Sequence, residues 1–559
     1  MGIRNSLDTW QTVAARKQAE RQHKIPQEWL LPQALLPDDA STDNDNNDVS
    51  TFPSTSGFFT PRELELTNAT ASEVVRKIAK REWTSLEVTR AVCKRAAVAQ
   101  QLVNCLTEIC FDDALQRAEA LDRKMSESGP VGPLHGLPIS LKDQFHVPGL
   151  DTTIGYISRA EAPMRTASTL VELLLNAGAV LYAKTNVPAT LMSGETVNNV
   201  FGRSLNPYNR KLTPGGSSGG ESALVAFGGS YLGVGTDIGG SIRMPCHMTG
   251  IFGLRPSHGR VSYQNVGNTY VGQEAVISSA GPMCRSPEDI RLFMTSALAQ
   301  KPWLQDPQCL PMPWRTEHEI LPKKLCFGWS LDDDRVQATP PVRRALEIVR
   351  DKLLAAGHAV IEFKPHEMLE AQDISQKMLT ADGGEEFQRE TQVFDEPLHP
   401  EVEEWLRKSA IAAKTSVSET WQTQHRRTLF AQRWLQRWEE TADVTGTGRP
   451  MDGLIMQTLP FPAVMHDSKW PSYHGALSPL LDLTTGSFPV TRVDLGIDRV
   501  PTDWHPLSET DRNVMEFYEK RAMFEGIPVG LSLVARRLEE EKVVAMLQLI
   551  TDVAGLHHV

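Results

Sequence analysis

The sequence predicts an α/β fold built as one large domain. Three observations carry this. Segments with helical periodicity alternate with short apolar runs of strand character. Only one polar, low-complexity break, Asp38 to Gly57 (DDASTDNDNNDVSTFPSTSG), interrupts the chain. The composition is globular, with 40% hydrophobic and 23% charged residues among 559. At roughly 150 residues per domain the length alone would suggest three or four units. No second linker divides 60–559, so the expected layout is an arm and linker over 1–59 and a single domain over 60–559.

The elements follow in order. Leu7, Trp10, Val13 and Ala14 have helical spacing, which predicts a short amphipathic helix in an N-terminal arm. Thr70 with Glu73, and Thr84 with Glu87, fit capping boxes. Each box opens a helix, with Val74, Val75 and Ile78 on one face of the first and Val88 and Val92 on one face of the second. Gly136 to Leu141 (GLPISL) reads as a buried strand ending at Lys142-Asp143. Leu170 to Asn176 reads as helix and Ala179 to Ala183 as strand. From Pro214 to Gly253 the chain is dense in Gly and Ser, leaving little room for a regular helix before Glu221. Val417 to Glu440 is a long helical pattern carrying Trp421, Trp434 and Trp438, whose spacing points to core before a channel wall. On it, His425-Arg426-Arg427 reads as a solvated face. Leu454 to Leu459 and Val529 to Val534 are further strands, and Glu539 to Leu549 a closing helix.

Composition excludes several functions. With 57 Lys+Arg against 69 Asp+Glu the formal net charge is −12, which argues against a general nucleic-acid binder. No run approaches the ~18 apolar residues of a membrane span, and no signal-type apolar segment follows the N-terminus. Seven cysteines, with no C-x-x-C pair, fit reduced thiols in a cytoplasmic protein better than disulfides or zinc. The Asn68-Ala-Thr70 sequon then carries no meaning. The histidines show no metal spacing, so no metal and no cofactor are expected. Met1-Gly2-Ile-Arg-Asn-Ser6 fits a myristoylation pattern. Arg4, Arg16, Lys17, Arg21 and Lys24 outweigh Asp8 and Glu20 in the same arm. That would allow weak membrane association. The alternative is an arm packed on its own domain or on a second subunit.

The chemistry concentrates in two clusters, Gly215-Gly216-Ser217-Ser218-Gly219-Gly220 and Gly239-Gly240-Ser241-Ile242-Arg243. Glycines around a serine let the backbone approach a ligand and aim several N–H groups at one point, as an oxyanion hole requires. Gly215 to Gly219 formally fits the G-x-S-x-G elbow, but the polar, proline-broken residues 206–214 before it are not a buried strand. Gly233-Val-Gly235 starts a dinucleotide fingerprint, yet Ile238 stands where the third glycine belongs. No G-K-[ST] phosphate loop is present.

GLPISLKD, AKTNVP, PGGSSGGE, GTDIGGSIR and GLRPS occur in this order, with Ser217 and Ser241 24 residues apart. Together they closely resemble the amidase signature family, most strongly from Gly132 to Pro282. Ile25-Pro-Gln-Glu-Trp29, Glu195-Thr-Val-Asn-Asn199 and Pro311-Met-Pro-Trp314 look most like its fungal acetamidase and general amidase branch. The resemblance implies a central twisted mixed β-sheet flanked by helices. It implies a Ser-Ser-Lys triad, with Ser241 as nucleophile, Ser217 as the bridging serine after a cis peptide, and Lys142 as base. It matches Ile238, Gly239, Gly240 and Ser241 to oxyanion-binding amides. Ser218, Asp237 and Arg243 match residues that brace the loop, and Leu191 and Ser193 match the acyl-pocket lining. A lysine with a usual pKa of ~10.4 works as a base only when desolvated. The apolar run before Lys142 favours this, whereas Asp143 would oppose it if its charge pointed inward. The expected activity is amide hydrolysis on a small-molecule amide, with a homodimer as family precedent. Alternatives are a glutamine-hydrolysing amidotransferase A-type subunit, a catalytically idle ligand-binding homologue, and an esterase.

Overall fold

A computed structural model describes residues 8–37, 47–412, 414–471 and 475–556. Its strands, in chain order, are β1 (Leu106–Ile109), β2 (Pro138–Lys142), β3 (Val180–Thr185), β4 (Val197–Asn198), β5 (Gly202–Arg203), β6 (Leu232–Asp237) and β7 (Phe252–Arg255). Then come β8 (Ser279–Cys284), β9 (Cys326–Trp329), β10 (Ala359–Glu362), β11 (Gly453–Gln457), β12 (Thr485–Arg492) and β13 (Pro528–Val534). Eleven of them form one mixed sheet in the order β1-β3-β2-β6-β8-β7-β12-β13-β11-β9-β10, and β4 and β5 form a small separate hairpin. β3-β2-β6 and β11-β9-β10 run parallel, while the strands between β6 and β11 are antiparallel to their neighbours. Every residue of β2, β6, β8, β11 and β13 is buried. That is why these strands read as short apolar runs without alternation: helices cover both faces.

The local signals translate directly. Thr84 and Glu87 cap the helix Ser85–Val103 reciprocally. At Thr70 only half the box forms, the hydroxyl accepting from the Glu73 N–H. Val74, Ile78, Val88 and Val92 are buried in the main core. In the helix Val417–Glu440 the core reading holds for Trp434 and Trp438, which are buried with Phe430 against Phe363. Trp421 near its start is 64% exposed. The basic run on this helix is not a free solvated face. Arg426 pairs with Asp373 at 2.8 Å and Arg427 donates to the Leu480 carbonyl at 2.6 Å, because the helix lies across both segments.

One expectation for the N-terminal region, the flexible linker, needs correction. Residues 47–57 of the polar stretch are docked: Val49 is buried and its N–H donates to the Pro207 carbonyl, and Phe52–Thr55 forms a helical turn with Pro53 buried. The two apolar side chains Val49 and Phe52 outweigh the surrounding polar composition. The arm helix, Trp10–His23, packs Val13 and Ala14 against Ile157, Val200 and Phe201. Its cations face the domain. Lys17 is buried, 2.8 Å from Glu108 and 2.9 Å from Asp151. Arg16 pairs with Asp8 and Glu161, Arg21 donates to the Leu106 carbonyl, and Lys24 pairs with Glu20. The basic face that would meet a membrane is thus engaged within the chain. Leu7, Arg4 and the Met1–Ser6 pattern lie outside the described residues. No helix among the described residues is long and apolar enough to cross a membrane. All seven cysteines are free thiols.

Candidate active site

β2 ends at Lys142 and β6 ends at Asp237, neighbouring strands in parallel register, so their C-terminal ends deliver both residues to one place. The Gly215–Ser218 loop runs into the helix Gly219–Ala226, and the 238–242 loop runs into the helix Arg243–Thr249. The Ser218 N–H donates to the Ser241 carbonyl at 3.2 Å, and the Ser218 hydroxyl to the Thr236 carbonyl at 3.3 Å. Those bonds tie the two serine loops together. The Gly216–Ser217 peptide is cis.

Lys142 is fully buried. Its Nζ lies 2.7 Å from Ser217 Oγ and 2.8 Å from Thr236 Oγ1, and that hydroxyl donates to Gln144 Oε1 at 2.5 Å. Burial pulls the Lys142 pKa well below the usual lysine range, against the opposing pull of Asp237 and Glu221. Asp143 turns away: its carboxylate accepts from Thr107, Thr153 and the Ile154 N–H, and faces Lys184 at 3.6 Å. The feared opposition from Asp143 is therefore absent.

Behind Lys142 sits Glu221, which sequence reasoning did not single out. Its fully buried carboxylate accepts from Ser140 and, at 2.6 Å, from Thr185 Oγ1. Burial raises its pKa to about 7 despite those donors and Lys142. The space exists because residue 233 is glycine, where a Cβ would lie 1.9 Å from Glu221 Oε1. A glutamate within the otherwise apolar Gly219–Ala226 helix was the available signal.

Asp237 organises the second loop. It accepts from the N–H groups of Gly240 (2.8 Å), Ile242 (3.2 Å) and Arg243 (3.4 Å), and from the Arg243 guanidinium at 3.0 Å. Burial alone would raise its pKa, but Arg243 holds it down to about 2. Arg243 also donates to the Gly475 carbonyl. Within the following helix, both His247 ring nitrogens meet carbonyls, Gly530 O of β13 at 2.6 Å and Phe461 O at 2.8 Å. The bracing expected of Asp237 and Arg243 is seen as geometry. The Gly240 N–H, expected to face an oxyanion, is instead bonded to Asp237.

Ser217 and Ser241 line one narrow cavity of about 260 Å³, its open mouth included, with Ile238, Leu191, Thr236 and Gln144 also in its wall. Met192 and Tyr270, not singled out from sequence, line it too. Thr190 and Leu191 both adopt left-handed backbone, φ 68° and 65°. Such strain in non-glycine residues persists where the surroundings enforce it. Ser193 is outside this lining. Its hydroxyl donates to Glu401 at 2.5 Å and to the Glu195 carbonyl, and its own carbonyl abuts Gly216, where a Cβ would lie 2.7 Å away. Ligand atoms of Glu195, His399 and Asp467 lie within 4.8 Å of one another. Arg203 bridges Glu195 and Asp467, and His466 pairs with Glu195, so a protein cation already balances that cluster.

Comparison with known proteins agrees with this geometry. The amidase family profile matches residues 87–544. A putative amidase, kk1C, of Curvularia clavata is 59% identical, covering 98% of each chain. An acetamidase of Emericella nidulans is 40% identical, again over 98% of each. Among solved structures, a fatty acid amide hydrolase superposes with a TM-score of 0.91 at 32% identity, covering 98% of this chain and 96% of the other. The profile spans most of the chain and the relatives span nearly all of it, so this protein belongs to the amidase signature family and is an amide hydrolase.

Proposed function

We propose that the protein hydrolyses a small carboxamide through an acyl-enzyme formed on Ser241, with Ser217 and Lys142 relaying the proton. The observation that carries this is the fully buried Lys142 amine bonded to Ser217, at a cavity that Ser217 and Ser241 share. Desolvation favours the neutral form of Lys142, which a base requires. Neutral Lys142 takes the Ser217 proton as Ser217 takes that of Ser241. The Ser241 oxygen then bonds to the amide carbon. Amides of the 238–241 loop other than the Asp237-bound Gly240 N–H face the developing oxyanion, each such donor being worth roughly 10²–10³ in rate. Ser217 returns the proton to the leaving nitrogen, the C–N bond breaks, and ammonia or an amine departs. Water, deprotonated along the same relay, cleaves the ester and restores Ser241. Similarity to proteins named acetamidase supports a small carboxamide, and the expected cytoplasmic setting suits it.

The test is ammonia or amine release from aliphatic and aryl amides, with Ser241→Ala, Ser217→Ala and Lys142→Ala beside wild type. Ser241→Ala should abolish turnover and labelling by a fluorophosphonate. Lys142→Ala should lower kcat/KM by about 10²–10⁴. Turnover surviving in Ser241→Ala refutes the acyl-enzyme. Glutaminase activity gained only with a co-purifying subunit would favour the amidotransferase alternative, and a wild type that neither turns over nor labels would favour the idle homologue.

A further inference from the structure

We infer that Tyr270, held by Trp405, Glu386 and Phe387, closes the acyl end of the cavity and restricts the enzyme to short-chain amides. This deepens the acyl-enzyme reading and rests on it. Tyr270 lines the cavity that contains Ser217 and Ser241, beside Leu191 and Met192. It belongs to the apolar cluster of Leu191 and Phe387, with Trp405 packed against the same cluster. The wall that Leu191 matches in the family is thus the wall Tyr270 completes.

Two contacts fix the ring and one its backbone N–H. The Trp405 indole N–H donates to the Tyr270 hydroxyl at 3.2 Å. The Tyr270 N–H donates to Glu386 at 2.7 Å. The Phe387 ring lies 5.4 Å from the Tyr270 ring, tilted by 47°. The backbone is held as well: Tyr270 has φ 61°, and the preceding Thr269 hydroxyl donates to the Thr190 carbonyl at 2.6 Å. All the side chains that hold Tyr270 come from 385–405, a stretch distant in sequence from the serine loops. The next residue, Val271, is 80% exposed. Tyr270 itself is half-buried and lines the cavity, so it stands at the cavity's boundary. Measured as room for water-sized occupants, the cavity it leaves is about 10 Å³, far below the ~300–1,000 Å³ typical of pockets for drug-sized ligands. A short acyl group asks least of that wall. A longer one must break the Trp405 bond or displace Phe387. Tyr270 is thus a specificity-determining residue, and Trp405 a positioning residue acting through it.

The experiment compares wild type with Tyr270→Ala, Trp405→Phe and Val271→Ser in the full chain. It has two readouts. One is kcat/KM for straight-chain primary amides from acetamide to octanamide. The other is the rate at which Ser241 is labelled by an ethyl or a decyl fluorophosphonate, in which the Ser241 oxygen bonds to phosphorus and fluoride leaves. The second needs no turnover. Wild type should prefer the short member in both series. Tyr270→Ala should raise the long-to-short ratio by about tenfold or more, since each methylene accommodated is worth about 10-fold or better. Trp405→Phe keeps an aromatic ring but removes the N–H donor, and should move the ratio the same way by less. Val271→Ser should leave it unchanged. A wild type indifferent to chain length, or a Tyr270→Ala protein that labels normally with an unchanged ratio, overturns the inference. Loss of labelling in wild type by both probes, by contrast, strikes the acyl-enzyme reading itself and the inference falls with it.

Discussion

Lys142 and Glu221 are two buried groups of opposite formal charge on neighbouring elements, and each protonation state depends on the other. The Glu221 carboxylate, when charged, pulls the Lys142 pKa upward, whereas burial pulls it down. The proposed relay requires neutral Lys142, so on that reading activity rises with pH through the lysine's titration. Glu221→Gln removes the charge and keeps one acceptor oxygen, for Ser140 or Thr185, while the other hydroxyl can accept from the new amide N–H. The acid limb of the kcat/KM profile should then move to lower pH, by roughly one unit or less. A limb that stays put, or moves upward, would show that Glu221 acts on packing alone. At this scale the sequence was most informative where residues lie in unbroken motifs. Lys142, Ser217 and Ser241 were legible because their neighbours spell the family pattern. Glu221 and Thr236 lay inside the same motifs, but their roles depend on which strands adjoin, which spacing along the chain does not show. Tyr270 had no motif around it, and its neighbours come from residues 386–405.

The arm helix shows what composition alone leaves open. Of the five cations counted in its neighbourhood, Arg16, Lys17, Arg21 and Lys24 are engaged within the chain, by Asp8, Glu20, Glu108, Asp151, Glu161 and the Leu106 carbonyl, and Arg4 lies outside the described residues. Lys17 links the arm to Glu108 within β1 and to Asp151 in the loop after β2. Burial disfavours its charge, yet Glu108 and Asp151 hold the ammonium above the usual lysine range. A group with a raised folded-state pKa stabilises fully below its unfolded value and loses that contribution as pH climbs past its folded one. Lys17→Met leaves buried Asp151 without its cation and buried Glu108 with only Lys24 at 3.5 Å, and should cost about 3–5 kcal/mol. Denaturant unfolding of wild type and variant should show that gap, nearly constant between about pH 6 and 9. A loss under 1 kcal/mol, at the scale of an exposed pair, would mean the arm is only loosely docked. The strands at β2, β3, β11 and β13 were readable because fully buried strands are apolar throughout. The docked turn at Phe52–Thr55 was not, because two apolar residues among many polar ones give no periodicity.

The architecture joins the first half of the chain to the second through a single sheet. β7, from the segment just after the nucleophile loop, pairs with β12, and β12 pairs with β13, nearly 300 residues beyond Ser241. Strand order of this kind is invisible in sequence, since a strand's pattern says that it is buried and not beside what. Both halves share one core, which runs from Ile25 to Leu556. Thermal unfolding should therefore show one cooperative transition by calorimetry. Two resolved transitions would mean that 106–284 and 326–534 hold together independently.

That arrangement has a consequence in time. During synthesis the Ser241 loop leaves the ribosome long before Gly530, whose carbonyl meets the His247 ring in the helix directly behind that loop. At roughly 5–20 residues per second, the interval for those ~290 residues is about 15–60 s. Throughout it, the nascent chain carries Lys142, Ser217 and Ser241 with the strand behind the Ser241 loop still unmade, until β13 takes its place between β12 and β11.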